Sequence, residues 1–160
     1  MQASVFQAMD MSAAEIVLKE VKQILDDRGL IFFLRHGTCL GAVRDHAFIG
    51  WDDDVDTGSI IGLHGLTEEM IYATAEVFRQ NEFDVEVVDS ELHLSVDMKK
   101  SGIQFDWTCY RVHKGSIFQY PGVNVPAHIH QDLAPIHLLG QSFHVPNPPE
   151  EYLTLKYGPN

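Results

Sequence analysis

Between residues 83 and 110 apolar and polar side chains alternate through three successive segments, and this period of two constrains the fold more than any other stretch of the chain. Phe83, Val85 and Val87 alternate with Asp84, Glu86 and Val88, and Leu92, Leu94 and Val96 alternate with His93, Ser95 and Asp97. Ile103, Phe105, Trp107 and Cys109 then alternate with Gln104, Asp106, Thr108 and Tyr110. Successive side chains of a strand leave opposite faces of a sheet, so each segment is expected to be a strand with one apolar face. The first two form a hairpin that turns near Asp89-Ser90.

Upstream the period lengthens to that of a helix. Ser12-Ala-Ala-Glu15 has capping-box spacing, and Ile16, Val17, Ile24 and Leu25 fall on helical spacings before Gly29, which predicts a first helix. Ile31 to Leu34 is a short apolar run suited to a buried strand, broken by Arg35-His-Gly-Thr38. Thr38 to Arg44 suits a short helix interrupted by Gly41, and Ala47 to Gly50 a turn. Val55 to Ile61 is a second candidate strand. Thr67 can cap a long helix carrying Met70, Ile71, Ala75 and Phe78 on one face. The tail from Gly115 to Pro149 is rich in Pro and Gly, holds four of the nine histidines and is expected to be mostly irregular. A short helix from about Pro148 to Tyr157 ends at Gly158. With no internal repeat and no linker, residues 1–160 are expected to form one mixed α/β (α+β) domain.

Charge narrows the partners. The net charge is −12 with only 11 Lys and Arg, and without a basic run the chain is not expected to bind nucleic acid through its phosphates. A phosphorylated ligand on so acidic a protein calls for a bound divalent cation to invert the local field. No stretch reaches the roughly 18 apolar residues of a membrane span, and the N-terminus lacks the basic start and apolar run of a signal peptide, so a cytoplasmic chain is expected. Cys39 and Cys109 form no disulfide framework or zinc spacing and are expected to be buried small hydrophobes.

The sharpest chemical feature is Gly50-Trp-Asp-Asp-Asp-Val-Asp-Thr-Gly58, with four carboxylates in five positions. Like charges this close repel, so the run needs water or a cation to screen it. A solvated acidic turn is the simplest account. Trp51, Val55 and Ile60-Ile61 argue against it, because they draw the segment toward the core. On a strand Asp54 and Asp56 project from one face and aim hard oxygen donors at one point, an arrangement that suits Mg²⁺ or Mn²⁺. Asp106, on the polar side of its alternating strand, is the best third ligand. An EF-hand loop from Asp52 fails because Thr57 stands at the glycine position and Leu63 at the glutamate position. A haloacid-dehalogenase-type phosphatase is a poor match too: Asp54-Val-Asp56-Thr57 fits only superficially, and no later Gly-Asp-x-x-x-Asp follows. Gly37-Thr38, ahead of a short helix, can offer N–H groups and a hydroxyl to phosphate oxygens, and Arg44 can pair with a phosphate or with the adjacent aspartates.

The stretch from Phe33-Leu-Arg-His-Gly-Thr-Cys-Leu-Gly-Ala-Val-Arg44 through Trp51-Asp-Asp-Asp-Val-Asp56 closely resembles the LicD family, which includes bacterial phosphocholine transferases and fukutin-related ribitol-phosphate transferases. Phe105-Asp-Trp107 looks like the family's third-carboxylate strand, and Val145-Pro with Tyr152-Leu-Thr-Leu-Lys-Tyr-Gly158 resembles its C-terminal motif. The resemblance implies a nucleotidyltransferase-like fold, a small mixed sheet flanked by helices, in which Asp54, Asp56 and Asp106 bind divalent metal. It also implies a nucleotide-diphosphate donor, a CDP-linked alcohol, whose phospho-alcohol passes to a hydroxyl of a glycan or a small molecule, with Asp106 a candidate acceptor of that hydroxyl's proton. Two departures stand out. Gly50 occupies a position where proline is common, and the family motif is expected to run on past Tyr157-Gly-Pro-Asn160, so some ligand contacts are expected to be missing. Arg35-His36 places two potential cations beside the phosphate site. His128 and His130 are expected to be ordinary loop histidines, and His93 and His144 satisfied structural ones. Three readings follow from the sequence: an active phospho-alcohol or nucleotidyl transferase, a catalytically silent nucleotide- or metal-binding module, and a structural domain with a solvated acidic turn.

Overall fold

The computed structural model describes residues 9–50, 53–119 and 122–158. Helix α1 (Met11–Asp27) is capped by Asp10, whose carboxylate accepts the main-chain N–H groups of Ser12 and Ala13 at 2.9 and 3.1 Å. The expected capping box is displaced: Ser12 lies inside the helix, because Asp10 already supplies the acceptor that the first-turn donors need. Ala14, Val17, Leu18, Val21 and Leu25 form the buried stripe, and Ile16 is 68% exposed, off that face. The helix ends as expected, with Gly29 at φ 70° carrying the chain out.

The central sheet has five strands, β1 (Phe33–Leu34), β2 (Asp54–Ile60), β3 (Asp84–Asp89), β4 (His93–Lys100) and β5 (Ile103–Tyr110), in the order β1-β2-β5-β4-β3. The three alternating segments form the antiparallel meander β3-β4-β5, and β2 lies parallel to β5 on its other side. Helix α3 (Glu68–Gln80) bridges β2 and β3. The apolar face carries Val55, Phe105, Trp107, Cys109, Leu94, Val96 and Met98, all buried, and packs against α1 and α3. There Phe78 meets Trp107 edge-on with ring centroids 6.4 Å apart, and Trp107 Nε1 donates to Ser59 Oγ at 2.9 Å. Each large side chain buried in this layer contributes about 1.5–3 kcal/mol. Thr67 caps α3 as expected, accepting the Met70 N–H at 3.3 Å. Met70 itself is 41% exposed, and Thr74 takes its expected place in the buried stripe. Thr74 can do so because its hydroxyl donates to the Met70 carbonyl and accepts from Arg28 Nε.

The other face of the sheet holds α2 (His36–Asp45) and α4 (Pro149–Tyr157). Helix α2 starts two residues earlier than expected and runs through Gly41 without interruption. A Cβ on Gly41 would lie 2.4 Å from the Ala47 carbonyl oxygen, so this glycine permits a close approach to the chain that follows the helix. The tail is regular rather than irregular. It forms the hairpins β6 (Ser116–Gln119)–β7 (Val123–Pro126) and β8 (Ala134–Leu138)–β9 (Gln141–Val145), separated by a 3-10 turn over Ala127–His130. Leu139 and Gly140, at φ 54° and 79°, make the tight β8–β9 turn, and a leucine in the left-handed region gives no turn signal in the sequence. The C-terminal helix ends at Gly158 as expected, and Cys39 and Cys109 are free and buried. The inward pull expected of Trp51 falls outside the described residues. Among the described residues no helix is long and apolar enough to cross a membrane.

Candidate functional site

Strand β2 begins at Asp54, so Asp54 and Asp56 leave one face of the sheet two positions apart. In the parallel β2–β5 register Asp56 stands opposite Asp106, and in the β4–β5 register Asp97 stands opposite Asp106 from the other side. Asp54, Asp56 and Asp106 each present a carboxylate oxygen within 4.8 Å of the other two. Oxygens on opposite sides of an octahedral Mg²⁺ are about 4.2 Å apart, so small side-chain rotations bring all three into one coordination shell. The donor set fits a hard dication.

Burial, and then crowding, raises the proton affinity of Asp54 and Asp106. Asp54 is pushed up to about 7 from its ordinary 3.8, by burial first and then by the neighbouring carboxylates of Asp56 and Asp53. Asp106 is pushed up to about 6 by burial and Asp97, against the hydrogen bond from Gln104 and the charge of Arg35. Asp54 and Asp106, which hold protons near neutrality, are poised to exchange them for a cation.

Asp56 is the most firmly held. Its main-chain N–H donates to Thr38 Oγ1 at 2.9 Å, and its carbonyl accepts the Arg35 N–H at 3.1 Å. Arg35, 6% exposed, sits in extended conformation between β1 and α2. Its Nε donates to the Thr57 carbonyl at 2.7 Å, one terminal nitrogen donates to Thr108 Oγ1 at 2.8 Å, and the same nitrogen is 3.8 Å from Asp56 Oδ1. A guanidinium spans this geometry because its planar fork serves several acceptors at fixed angles. Thr108 Oγ1 also lies 3.3 Å from Ser95 Oγ, which donates to Asp97 Oδ1 at 2.6 Å. Arg35, Thr108, Ser95 and Asp97 therefore form one hydrogen-bonded row beside the three carboxylates.

The second expected cation is absent, because His36 is neutral. Burial, with Arg35 and Lys156 nearby, lowers its pKa to about 2. Its main-chain N–H donates to the Tyr152 hydroxyl, which donates in turn to Gln119 Oε1, both at 2.9 Å, tying α2, α4 and β6 together. Lys156, in the last turn of α4, has its own pKa lowered by burial and by Arg35, with Asp56 acting in the opposite sense. It is the cation that stands near the carboxylates from the C-terminal helix.

The structure thus brings Asp54, Asp56 and Asp106 together, with Thr38 bonded to Asp56 and Gly37 beside Thr38 in the first turn of α2. Thr38 is fully buried and its hydroxyl engages Asp56. Arg44 lies in the last turn of the same helix. It is exposed near the far end of α2, with Nε 3.2 Å from Asp45 Oδ2, and lines a groove of about 480 Å³ together with Leu40, Glu150, Leu153 and Tyr157. His93 departs from the expected satisfied residue, since its buried Nδ1 has no hydrogen-bond partner among the described residues. His130 is no ordinary loop histidine: it is fully buried against the Phe33 ring at 4.7 Å, and its Nε2 has no hydrogen-bond partner among the described residues. Sequence reasoning missed Asp97, Lys156 and the structural part of Arg35. Asp97 alone carried a signal, as the polar-face neighbour of Ser95 on an alternating strand.

The profile of the LicD/FKTN/FKRP nucleotidyltransferase domain matches residues 29–148, three quarters of the chain. The chain belongs to the LicD family. The matched segment takes in Arg35, all three converging carboxylates and both tail hairpins, and it stops short of α4. Among curated proteins the chain is similar to human ribitol 5-phosphate transferase FKRP, at 28% identity over 154 residues that cover 85% of this chain and 29% of that protein. The mouse protein of the same name is 28% identical over 153 residues, with the same shares covered. This LicD-family chain therefore spans less than a third of the length of these relatives. The mixed sheet and flanking helices agree with the nucleotidyltransferase domain that the family description names.

Proposed function

We propose that this LicD-family chain is a divalent-metal-dependent transferase that moves a phospho-alcohol from a CDP-linked donor to a hydroxyl of a glycan or a small molecule. The observation that carries the reading is the convergence of Asp54, Asp56 and Asp106 beside a buried guanidinium. Family membership and the transferase names of the relatives support the group transferred. The reading treats residues 1–160 as one domain, supported by a core cluster that runs from α1 through the sheet to α4.

In this reading Asp54, Asp56 and Asp106 hold Mg²⁺ or Mn²⁺. Such an ion neutralises the donor's diphosphate and stabilises the departing CMP. Asp56 is kept in place by Thr38 and Arg35, so the ligand set is oriented before any ligand arrives. Arg35 supplies fixed positive charge where the phosphates approach, and Lys156 supplies a second cation from α4. Gly37, in the first turn of α2, offers its main chain to a phosphate oxygen. Arg44, in the last turn of α2, is in this reading a further cation for the donor's phosphates.

The test measures release of CMP from CDP-alcohols by wild type and by Asp54→Asn and Asp106→Asn proteins, with Mn²⁺ or with chelator. Turnover that needs the metal and falls at least about a hundredfold in either variant supports the reading. Undiminished turnover in Asp54→Asn sinks it. Metal and nucleotide binding without product, across an acceptor panel, would leave a silent binding module.

A further inference from the structure

The main chain of Asp56 is gripped on both sides from one short turn: its carbonyl accepts the Arg35 N–H at 3.1 Å, and its N–H donates to Thr38 Oγ1 at 2.9 Å. Between Arg35 and Thr38 the chain passes from strand to helix in a single residue. Arg35 is extended, at φ −137° and ψ 170°, and α2 begins at His36, whose φ is 51°. The first residue of a helix normally takes right-handed helical angles, and glycine alone enters the left-handed region freely. Leu139 is left-handed in a hairpin turn and His46 at the end of α2, positions where chain geometry commonly calls for that conformation. At the start of a helix nothing local calls for it. A strained backbone of this kind persists only where its surroundings hold it.

What holds His36 is a tyrosine hydroxyl. Tyr152, the one buried side chain of α4, accepts the His36 N–H and donates to Gln119 Oε1, both at 2.9 Å. Burial keeps its pKa well above the ordinary value, so the hydroxyl retains the proton that it gives to Gln119 and a lone pair stays directed at His36. Gln119 is itself only 1% exposed, which fixes the acceptor in turn. The His36 N–H is one of the first-turn donors that no carbonyl of the helix can satisfy, so losing this acceptor destabilises the turn. Helix α4 supplies no carboxylate to the site, yet through His36 this bond carries its position to Asp56. We propose that Tyr152 is a positioning residue for the carboxylate site, its hydroxyl holding His36 in the left-handed turn that lets Arg35 and Thr38 grip Asp56 together. The inference rests on the reading of Asp56 as a metal ligand and adds what fixes the backbone of that ligand.

Calorimetric titration with Mn²⁺, beside thermal melting of the same proteins, tests it on wild type, Tyr152→Phe, His36→Gly, His36→Ala and the two double variants. Losing a group that orients a metal ligand typically weakens binding about 10–100-fold, and Tyr152 acts one layer further out, so Tyr152→Phe should weaken Mn²⁺ about three- to tenfold. Glycine enters the left-handed region without steric penalty, so in the His36→Gly background the same Tyr152→Phe change should alter Mn²⁺ affinity by less than about twofold. The His36→Ala background, which also lacks the imidazole but keeps a Cβ, should show the full loss. A tyrosine with a merely structural role would lower the melting temperature in all three backgrounds and leave Mn²⁺ affinity unmoved. Gln119→Met, which keeps the hydroxyl but removes the acceptor that orients it, should weaken Mn²⁺ in the same direction, and it stands in if Tyr152→Phe does not fold. Mn²⁺ affinity unchanged in Tyr152→Phe or its stand-in, or a loss of equal size in the His36→Gly and His36→Ala backgrounds, overturns the positioning role and leaves the metal site standing. If wild type binds no Mn²⁺, the metal-site reading falls and this inference with it.

Discussion

Asp56 and Asp106 stand directly opposite each other across the parallel β2–β5 pair, each leaving the polar face of the sheet, with Asp54 completing a group of oxygens within 4.8 Å. Without a cation that geometry is repulsive, and Thr38, Arg35 and the apolar layer beneath maintain it. The site therefore lowers the stability of the empty protein and gains it back on binding.

Metal-free Asp106→Asn protein should accordingly melt above metal-free wild type at pH 8, because the substitution removes one charge from the cluster. Mn²⁺ at about a hundred times its dissociation constant should stabilise wild type by about 2.7 kcal/mol and leave Asp54→Asn and Asp106→Asn nearly unchanged. Thermal melting with and without Mn²⁺ checks both halves, and equal stabilisation of all three proteins would remove these carboxylates from the metal site.

Metal affinity should rise with pH. Asp54 near 7 and Asp106 near 6 both titrate above the ordinary carboxyl value of 3.8, so between 3.8 and 7 the folded protein holds more protons at these groups than the unfolded chain. Their contribution to stability is thus full in acid and is lost as pH rises through 6 and 7. A cation must displace those protons, so Mn²⁺ affinity should climb by up to about tenfold per pH unit for each proton released and level off above pH 7 to 8. Titration at pH 5.5, 6.5, 7.5 and 8.5 in buffers of different ionisation enthalpy counts the protons, and a flat profile contradicts the assignment.

Arg35→Met should cost about 3–5 kcal/mol, the usual loss when one partner of a buried charge pair is removed. The Thr57 carbonyl and Thr108 hydroxyl would lose their common donor, and the Asp56 carboxylate its neighbouring positive charge. Arg35→Lys should recover less than half of that, since an ammonium cannot reproduce a planar fork bonded to two strands. Denaturant melts of the two variants give the comparison.

Gly41→Ala replaces the weakest helix former but proline with the best, worth about 1 kcal/mol in an open helix. The clash with the Ala47 carbonyl at 2.4 Å and the contact with Ile49 at 3.1 Å should outweigh it, for a net loss of about 1–3 kcal/mol. The chain after α2 leads into the acidic run, so the same variant should also bind Mn²⁺ more weakly. A melting temperature at or above that of wild type would show that this chain segment yields.

Local pattern determined much of this protein. Alternation from Phe83 to Tyr110 fixed three strands and their apolar faces, capping and helical spacing located α3, and the spacing of Asp54 and Asp56 put two carboxylates on one side of a strand, all through interactions within a few residues. Tertiary structure decided the rest. A period of two assigns a face but leaves open which strand is the neighbour and in what register, so the pairing of Asp56 with Asp106 had to come from packing across some fifty positions of chain, and that of Asp106 with Asp97 from the register of the β4–β5 hairpin. The β8–β9 hairpin was hidden because Leu139 occupies a left-handed turn position that its side chain does not advertise. Arg35 shows the limit most plainly. Nothing beside it in sequence marks it as buried, because the acceptors that permit its burial lie 22 and 73 residues away, on strands that meet only when the sheet is assembled.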